Sequence, residues 1–279
     1  MKYALLTLAL LIYTPLTAPH TTQAAEKTTA VADHLQEISV TIRAQSSEGS
    51  GVAFSRGGST WIWTAAHVVA GLRQTRGVVD PATGTMRTIV EFQDAQVVKA
   101  LIEKGRTVGR IEIDAEVIRY SGAEHGEDLA LLRVRKNDFL KTSTRFYLGE
   151  NIPSLGTRLL HCGSLMGHRQ GSHSMTAGIM SQSGRLIGKK VYDQISCQAF
   201  PGSSGGGVYL EDGRYMGMLV RGARVQGFNL IVPIRRMRKW AKHAGIEWSI
   251  NPKAEMPSDK ELANLPIEDV GSNFAKPSK

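Results

Sequence analysis

Two cysteines, Cys162 and Cys197, are all that the 279 residues contain, so at most one intrachain disulfide is available. Aromatic residues make up only 6% of the chain, while glycine contributes 29 residues. That balance favours many short strands joined by tight turns over a few long packed elements. No run of Lys and Arg is interleaved with aromatics, which argues against a nucleic-acid channel. No long amphipathic helix separates the strand patterns, so a parallel sheet built from βαβ units is not expected. The length is sufficient for one large domain or two small ones with a real core.

The one continuous apolar run, Ala4 to Ile12 apart from Thr7, is too short to span a bilayer comfortably. Lys2 precedes it, Pro15 breaks it, and Thr22-Gln23-Ala24 puts small residues where a signal peptidase inspects the chain. Residues 1–24 therefore read as a cleaved secretory signal, with cleavage after Ala24 and Ala25 as the alternative. No cysteine follows the apolar run, so a lipid anchor is not indicated. The formal net charge is +9, and loss of Lys2 leaves about +8 on the exported chain. Export to the periplasm or beyond makes a Cys162–Cys197 disulfide the expected pairing, against the alternative of two buried thiols.

After a polar leader at 25–37, strict alternation starts at Ile38-Ser-Val-Thr-Ile-Arg43. Gly57-Gly58 marks a turn before Thr60-Trp-Ile-Trp-Thr64, and further strand patterns occupy 88–92, 96–103, 109–118 and 129–134. Residues 136–156 read as a linker. A second group of strands is expected at 158–161, 174–181, 194–198, 207–210, 216–221 and 228–233. Two groups of about six short strands imply an all-β fold of two six-stranded antiparallel barrels, one at 38–135 and one at 157–233. A C-terminal helix at 234–245 follows, with Ile234, Met237, Trp240, Ala241 and Ala244 on one face and basic residues on the other. Four prolines and scattered charges make 246–279 a flexible tail, mobile or draped over the body.

Three stretches carry chemistry. In Phe200-Pro-Gly-Ser-Ser-Gly-Gly-Gly-Val-Tyr209 a serine sits among glycines, where the backbone can turn tightly and open its N–H groups to a ligand. A serine hydroxyl becomes a nucleophile only beside a base, and that base needs a carboxylate to hold its tautomer. His67 ends an apolar strand with small residues behind it, and Asp128 immediately precedes the apolar Leu129-Ala-Leu-Leu132. Ser204 as nucleophile, His67 as base and Asp128 as its orienter form the working constellation. The N–H groups of Gly202 and Ser204 would then form the oxyanion hole.

These stretches resemble the chymotrypsin-like (trypsin-fold) serine proteases, on the bacterial HtrA/DegP-like branch. Gly49-Ser-Gly-Val52, Trp63-Thr-Ala-Ala-His67-Val-Val69, Asp128-Leu-Ala-Leu-Leu132, Met175-Thr-Ala-Gly-Ile-Met-Ser181, Pro201-Gly-Ser-Ser-Gly-Gly206 and Gly227-Phe-Asn-Leu-Ile-Val-Pro233 carry the resemblance, in the family's His, Asp, Ser order. It covers roughly 38–245 and implies the same triad, the same oxyanion donors and a site in the cleft between two barrels. It also implies a primary pocket with Gln198 at its base, Val220, Arg221 and Gly222 along one wall and Asn229 near the other. No acidic residue lies at that base, which argues against a preference for Lys or Arg. Ser203 stands where many relatives carry the aspartate that receives a new N-terminus, so that activation switch is expected to be absent. About 34 residues after 245 are too few for a peptide-binding PDZ domain, so the assembly of PDZ-bearing relatives is not expected.

The expected function is that of a secreted serine endopeptidase acting on protein or peptide substrates, with no cofactor, no nucleic-acid partner and no stable membrane span once the signal is removed. Oligomeric state is left open. A catalytically silent peptide-binding module on the same scaffold is the alternative. A zinc site from His161, Cys162, His168, His173 and Cys197 is the weaker rival, because their spacing matches no established ligand pattern.

Overall fold

The computed structural model describes residues 20–103, 106–140, 142–165, 173–222 and 227–269, with the backbone alone for 20–28 and 102. The apolar run of the signal segment and His168 lie outside the described residues. In chain order the elements of the first half are α1 (His20–Ile38), β1 (Ser39–Ala44), β2 (Ser47–Arg56), β3 (Ser59–Thr64), α2 (Ala66–Val69), β4 (Arg73–Val79), β5 (Met86–Phe92), β6 (Ala95–Glu103), β7 (Arg106–Ser121) and β8 (Leu129–Val134). The second half contains β9 (Arg145–Phe146), β10 (Arg158–Gly163), β11 (Ser174–Ile187), β12 (Lys190–Ile195), β13 (Gly207–Leu210), β14 (Arg214–Gly222) and β15 (Asn229–Pro233). It ends with α3 (Ile234–His243) and α4 (Asp259–Asn264).

Strands β1-β2-β3-β8-β7-β6 close the first antiparallel barrel, and β4 and β5 form a separate exposed hairpin. The second barrel runs β13-β10-β11-β12-β15-β14 and closes through β13 and β14, with β9 added in parallel to β14. The all-β, two-barrel expectation therefore holds. Closure removes the free edges that short strands would otherwise expose.

Period-2 alternation sorts the second barrel's side chains between two cores. Leu159, Met180, Ile195, Cys197, Val208, Met216, Leu219 and Ile231 form its small interior. Cys162, Tyr192, Tyr209, Tyr215 and Met218 face the other way and join the large core of the first barrel. This division separates the two cysteines. Both are free and buried, contrary to the expected disulfide. Leu159 and Cys162 are three apart on one strand and so point to opposite faces, and Cys197 belongs with Leu159. Burial pushes the Cys162 thiol up to about 11 and the Cys197 thiol up to about 12, which keeps both protonated and unreactive.

The expected polar leader is helical. Val31, Leu35 and Ile38 recur at helical spacing; Leu35 and Ile38 are fully buried and Val31 packs against them. Residues after Ile246 pack on the body as far as Asp269. The Trp248 ring packs edge-on against Trp61 at 4.6 Å, and Ser258 and Glu261 form a reciprocal capping box that starts α4. Asp269 joins Arg119 (3.2 Å) and also accepts from the Trp240 indole. The basic face of α3 is less solvated than expected. Arg235 makes two bonds to the fully buried Asp193 (2.7 and 2.6 Å), and the Arg236 side chain is only 10% exposed.

Two histidines are buried without charge. His161, on β10, gives Nδ1 to the Gly207 carbonyl at 3.0 Å, and burial holds its pKa near 4; His173 is held near 4 by burial and then by the Lys99 charge. Two tests follow from these buried groups. Neither thiol should react with a disulfide reagent in the native protein and both should react in denaturant, with a mass that shows no loss of two hydrogens. In the unfolded chain both histidines would accept protons near pH 6.5, while the folded chain keeps them neutral down to about pH 4. Their contribution is thus complete above about pH 6.5 and is lost as the pH falls toward 4, at most roughly 3 kcal/mol each. Urea denaturation across that window should show stability falling with acid, with up to two protons taken up on unfolding.

Candidate active site

His67 opens from β3. The strand ends at Thr64, Ala65 turns the chain, and α2 carries the imidazole in its first turn while Ala66, Val68 and Val69 are buried. Asp128 precedes β8 at the end of a loop that begins after β7. Its carboxylate accepts from the His67 backbone N–H at 3.1 Å, and both of its oxygens lie 3.0 Å from His67 Nδ1. A carboxylate can only accept, so Nδ1 carries the proton and Nε2 is left as the basic nitrogen. The Asp128 side chain is 5% exposed and that of His67 37%, so the acceptor is buried while the ring reaches solvent.

Asp128 adopts φ +59, a left-handed conformation that few non-glycine residues hold. Its loop is braced from every side. Glu127 N–H donates to Ser121 Oγ (2.8 Å), and a Cβ on Gly126 would collide with that hydroxyl and with the Gly122 backbone. Lys190 Nζ donates to the carbonyls of Ala123 (3.0 Å) and Glu124 (3.2 Å). Arg236 donates to the Glu127 carboxylate and to its carbonyl (3.0 Å), and lies 4.7 Å over the Tyr192 ring. Burial and then the neighbouring Arg236 charge lower the Lys190 pKa. The second barrel and α3 thus hold the loop that carries Asp128. Neither Lys190 nor Arg236 is legible as a site residue in the sequence, because each lies 66 or more positions from the loop residues it bonds.

Ser204 follows a tight turn in which Ser203 N–H bonds Phe200 O (2.9 Å) and Gly202 has φ +93. Ser203 Oγ accepts from Phe200 N–H (3.0 Å), so this side chain closes the turn. The N–H groups of Ser203, Gly205 and Gly206 bond Phe200, Leu219 and Ser203 carbonyls. Those of Gly202 and Ser204 have no acceptor among the described residues.

The loop is seated against the first barrel. A Cβ on Gly49 would fall 2.5 Å from the Val68 side chain and 2.9 Å from Ser204 O, and one on Gly205 would strike Ser50 O and Thr64 Oγ1. Val68, next to His67, and the Ser204 carbonyl thus approach the same glycine from opposite sides of the seam. The His67 ring bonds Asp128, and among the described residues no hydrogen bond joins it to the Ser204 hydroxyl.

Of the predicted pocket residues, Asn229 is buried and donates to the Cys197 carbonyl at 2.6 Å, and Val220 is buried. Gly222 faces Asn229: a Cβ there would lie 3.3 Å from Asn229 Oδ1 and 3.8 Å from the Ala199 methyl. Ala199 is an addition that the sequence reading missed. Arg221 is exposed with its guanidinium 5.9 Å over Tyr192, and Gln198 is exposed with its carbonyl accepting from Thr176 Oγ1 (2.9 Å). Among the described residues no three His, Cys, Asp or Glu side chains are grouped to hold a metal ion.

Comparison with known proteins agrees with this geometry. Residues 49–218 match the family model described as trypsin-like peptidase domain. A probable periplasmic serine endoprotease, DegP-like, from Pseudomonas fulva (strain 12-X) is 30% identical over 136 residues, covering 46% of this chain and 26% of the relative. The match thus spans about a quarter of that relative's length. The fold is similar to the crystal structure of Deg5, with a TM-score of 0.56, 19% identity and coverage of 78% of this chain and 93% of that one. It is equally similar to the serine endoprotease from Yersinia pestis, with a TM-score of 0.56, 19% identity and coverage of 80% and 68%. The family model spans well over half of the chain and contains His67, Asp128 and Ser204, so the chain belongs to the trypsin-like peptidase domain family.

Proposed function

We propose that this chain is an exported serine endopeptidase that cleaves peptide bonds through an acyl-enzyme. The observation that carries this reading is the His67–Asp128 pair, bonded at 3.0 Å, beside a loop whose Gly202 and Ser204 N–H groups are the two left unbonded. Ser204 Oγ attacks the scissile carbonyl while His67 Nε2 takes its proton. Asp128 holds the Nδ1–H tautomer and stabilises the imidazolium. The carbonyl oxygen, now negative, receives the N–H groups of Gly202 and Ser204, a contribution of roughly 3 kcal/mol for each donor. His67 returns the proton to the leaving amine, the acyl-enzyme forms, and water repeats the sequence to release the acid.

Export is supported by the composition of residues 1–24 and by the periplasmic description of the Pseudomonas relative. No described helix is long and apolar enough to cross a membrane. The pocket side favours a neutral residue before the scissile bond, because Asn229 and Ala199 bring no charge to the space that Gly222 faces.

A fluorophosphonate probe tests the nucleophile. Ser204→Ala should abolish labelling, and Ser204→Ala or His67→Ala should each lower turnover by roughly four to six orders of magnitude. Asp128→Asn should cost about four orders while leaving the fold intact, because the amide presents the wrong partner to Nδ1. Undiminished labelling of the Ser204→Ala protein would refute the assignment and leave the silent binding module as the reading. Cleavage-site profiling on a denatured proteome should return neutral residues at the position before the cut; a clear excess of Lys or Arg would overturn the pocket reading.

A further inference from the structure

Ser50 stands on β2 of the first barrel, fully buried, yet most of its hydrogen bonds belong to the second. Its N–H donates to the Ser204 carbonyl at 2.7 Å. Its hydroxyl lies 2.6 Å from the Gly202 carbonyl and 2.7 Å from the Ser164 N–H. Its own carbonyl accepts from Thr64 Oγ1 at 2.7 Å, three residues before His67. The position of the hydroxyl proton follows without ambiguity. Ser164 N–H can only donate and Gly202 C=O can only accept, so the Ser50 O–H points at Gly202.

The consequence lies in the peptide planes of the nucleophile loop. The plane between Gly202 and Ser203 is held at its carbonyl by Ser50 Oγ–H and at its N–H by Phe200 O. The plane between Ser204 and Gly205 is held at its carbonyl by Ser50 N–H and at its N–H by Leu219 O. Between them, the plane that carries the Ser204 N–H is tied by its carbonyl to Gly206 N–H at 3.0 Å, which turns the N–H the opposite way. Gly202 has no Cβ to restrict it, so its φ of +93 persists only while the adjoining plane is pinned. One residue therefore holds the two planes that flank the one carrying the Ser204 N–H.

We propose that Ser50 is a positioning residue for the oxyanion hole, aligning the Gly202 and Ser204 N–H groups from across the barrel seam. The inference rests on the reading of Ser204 as nucleophile. Without the hydroxyl, the Gly202 carbonyl and the buried Ser164 N–H lose their partner, and the Gly202–Ser203 plane keeps only its bond to Phe200 O, so the Gly202 torsions that aim its N–H can shift. Gly163 and Gly205 close in around Ser50 so tightly that added Cβ atoms would touch its Oγ (2.8 Å) and its carbonyl.

Inactivation kinetics with a fluorophosphonate separate positioning from folding, since the saturating rate reports the oxyanion hole and the half-saturating concentration reports binding. Ser50→Ala should lower the saturating rate about 100-fold, the scale of one lost oxyanion donor, with half-saturation within twofold. Thr144→Ala removes another buried hydroxyl that donates to a carbonyl, Ala53 O at 2.7 Å, and should leave the rate unchanged. Gly163→Ala gives an independent route, because its methyl would press on Ser50 Oγ without deleting it; the same selective loss of rate is expected. A Ser50→Ala rate within twofold of wild type overturns the proposal, as does an equal loss in Thr144→Ala. Labelling that persists in Ser204→Ala would instead refute the nucleophile assignment, so the two failures are distinguishable.

Discussion

The seating of both reactive loops depends on hydrogen bonds that cross the seam between two barrels. Each barrel closes on itself and needs no edge from the other. Their relative placement is therefore set by side chains and loop backbone, where a shift of about an ångström would cost catalytic alignment. The nucleophile loop belongs to the second barrel but is seated on Gly49, Ser50 and Thr64 of the first. The Asp128 loop belongs to the first barrel but is held by Lys190 and Arg236 of the second half. The exchange is reciprocal: each barrel secures the reactive loop of its neighbour.

This reciprocity explains some otherwise costly features. Asp128 holds φ +59, and strain of that kind persists only where surrounding contacts over-determine it. Here Glu127, Gly126 and Ser121 supply those contacts from one side and Arg236 from the other. The positive charge of the chain takes on a related meaning. Arg235 and Arg236 are consumed in pairs with Asp193 and Glu127, and burial raises the worth of such pairs above that of exposed ones. Part of the basic balance is thus internal bracing, not a surface offered to an anionic partner.

Legibility differed by the kind of signal. Continuous apolar runs bounded by turn residues made β8 and β13 readable to the residue. β12 lies at 190–195 and not at 194–198, because past Ile195 side chains replace the regular ladder: Ser196 Oγ accepts from Ile179 N–H and Thr176 Oγ1 donates to the Gln198 carbonyl. α1 was masked by its polar and alanine-rich composition, though Val31, Leu35 and Ile38 carried a helical period. The Ser50 signal was visible in Gly49-Ser-Gly51, yet nothing local distinguishes a clamp from a turn. The cysteines misled because export favours pairing, while the facing of their strands, which forbids it, is a tertiary property.

What the sequence determined by itself was the two-barrel strand pattern and the three residue types that can activate a serine, because periodicity and reactive chemistry are local. What only the tertiary structure decided was how those residues meet. The pairing of His67 with Asp128 across 61 positions, the seating of Ser204 on Ser50 and the bracing of Asp128 by Arg236 are all long-range contacts. No local pattern encodes them, since each joins residues far apart in the chain that only the closed barrels bring together.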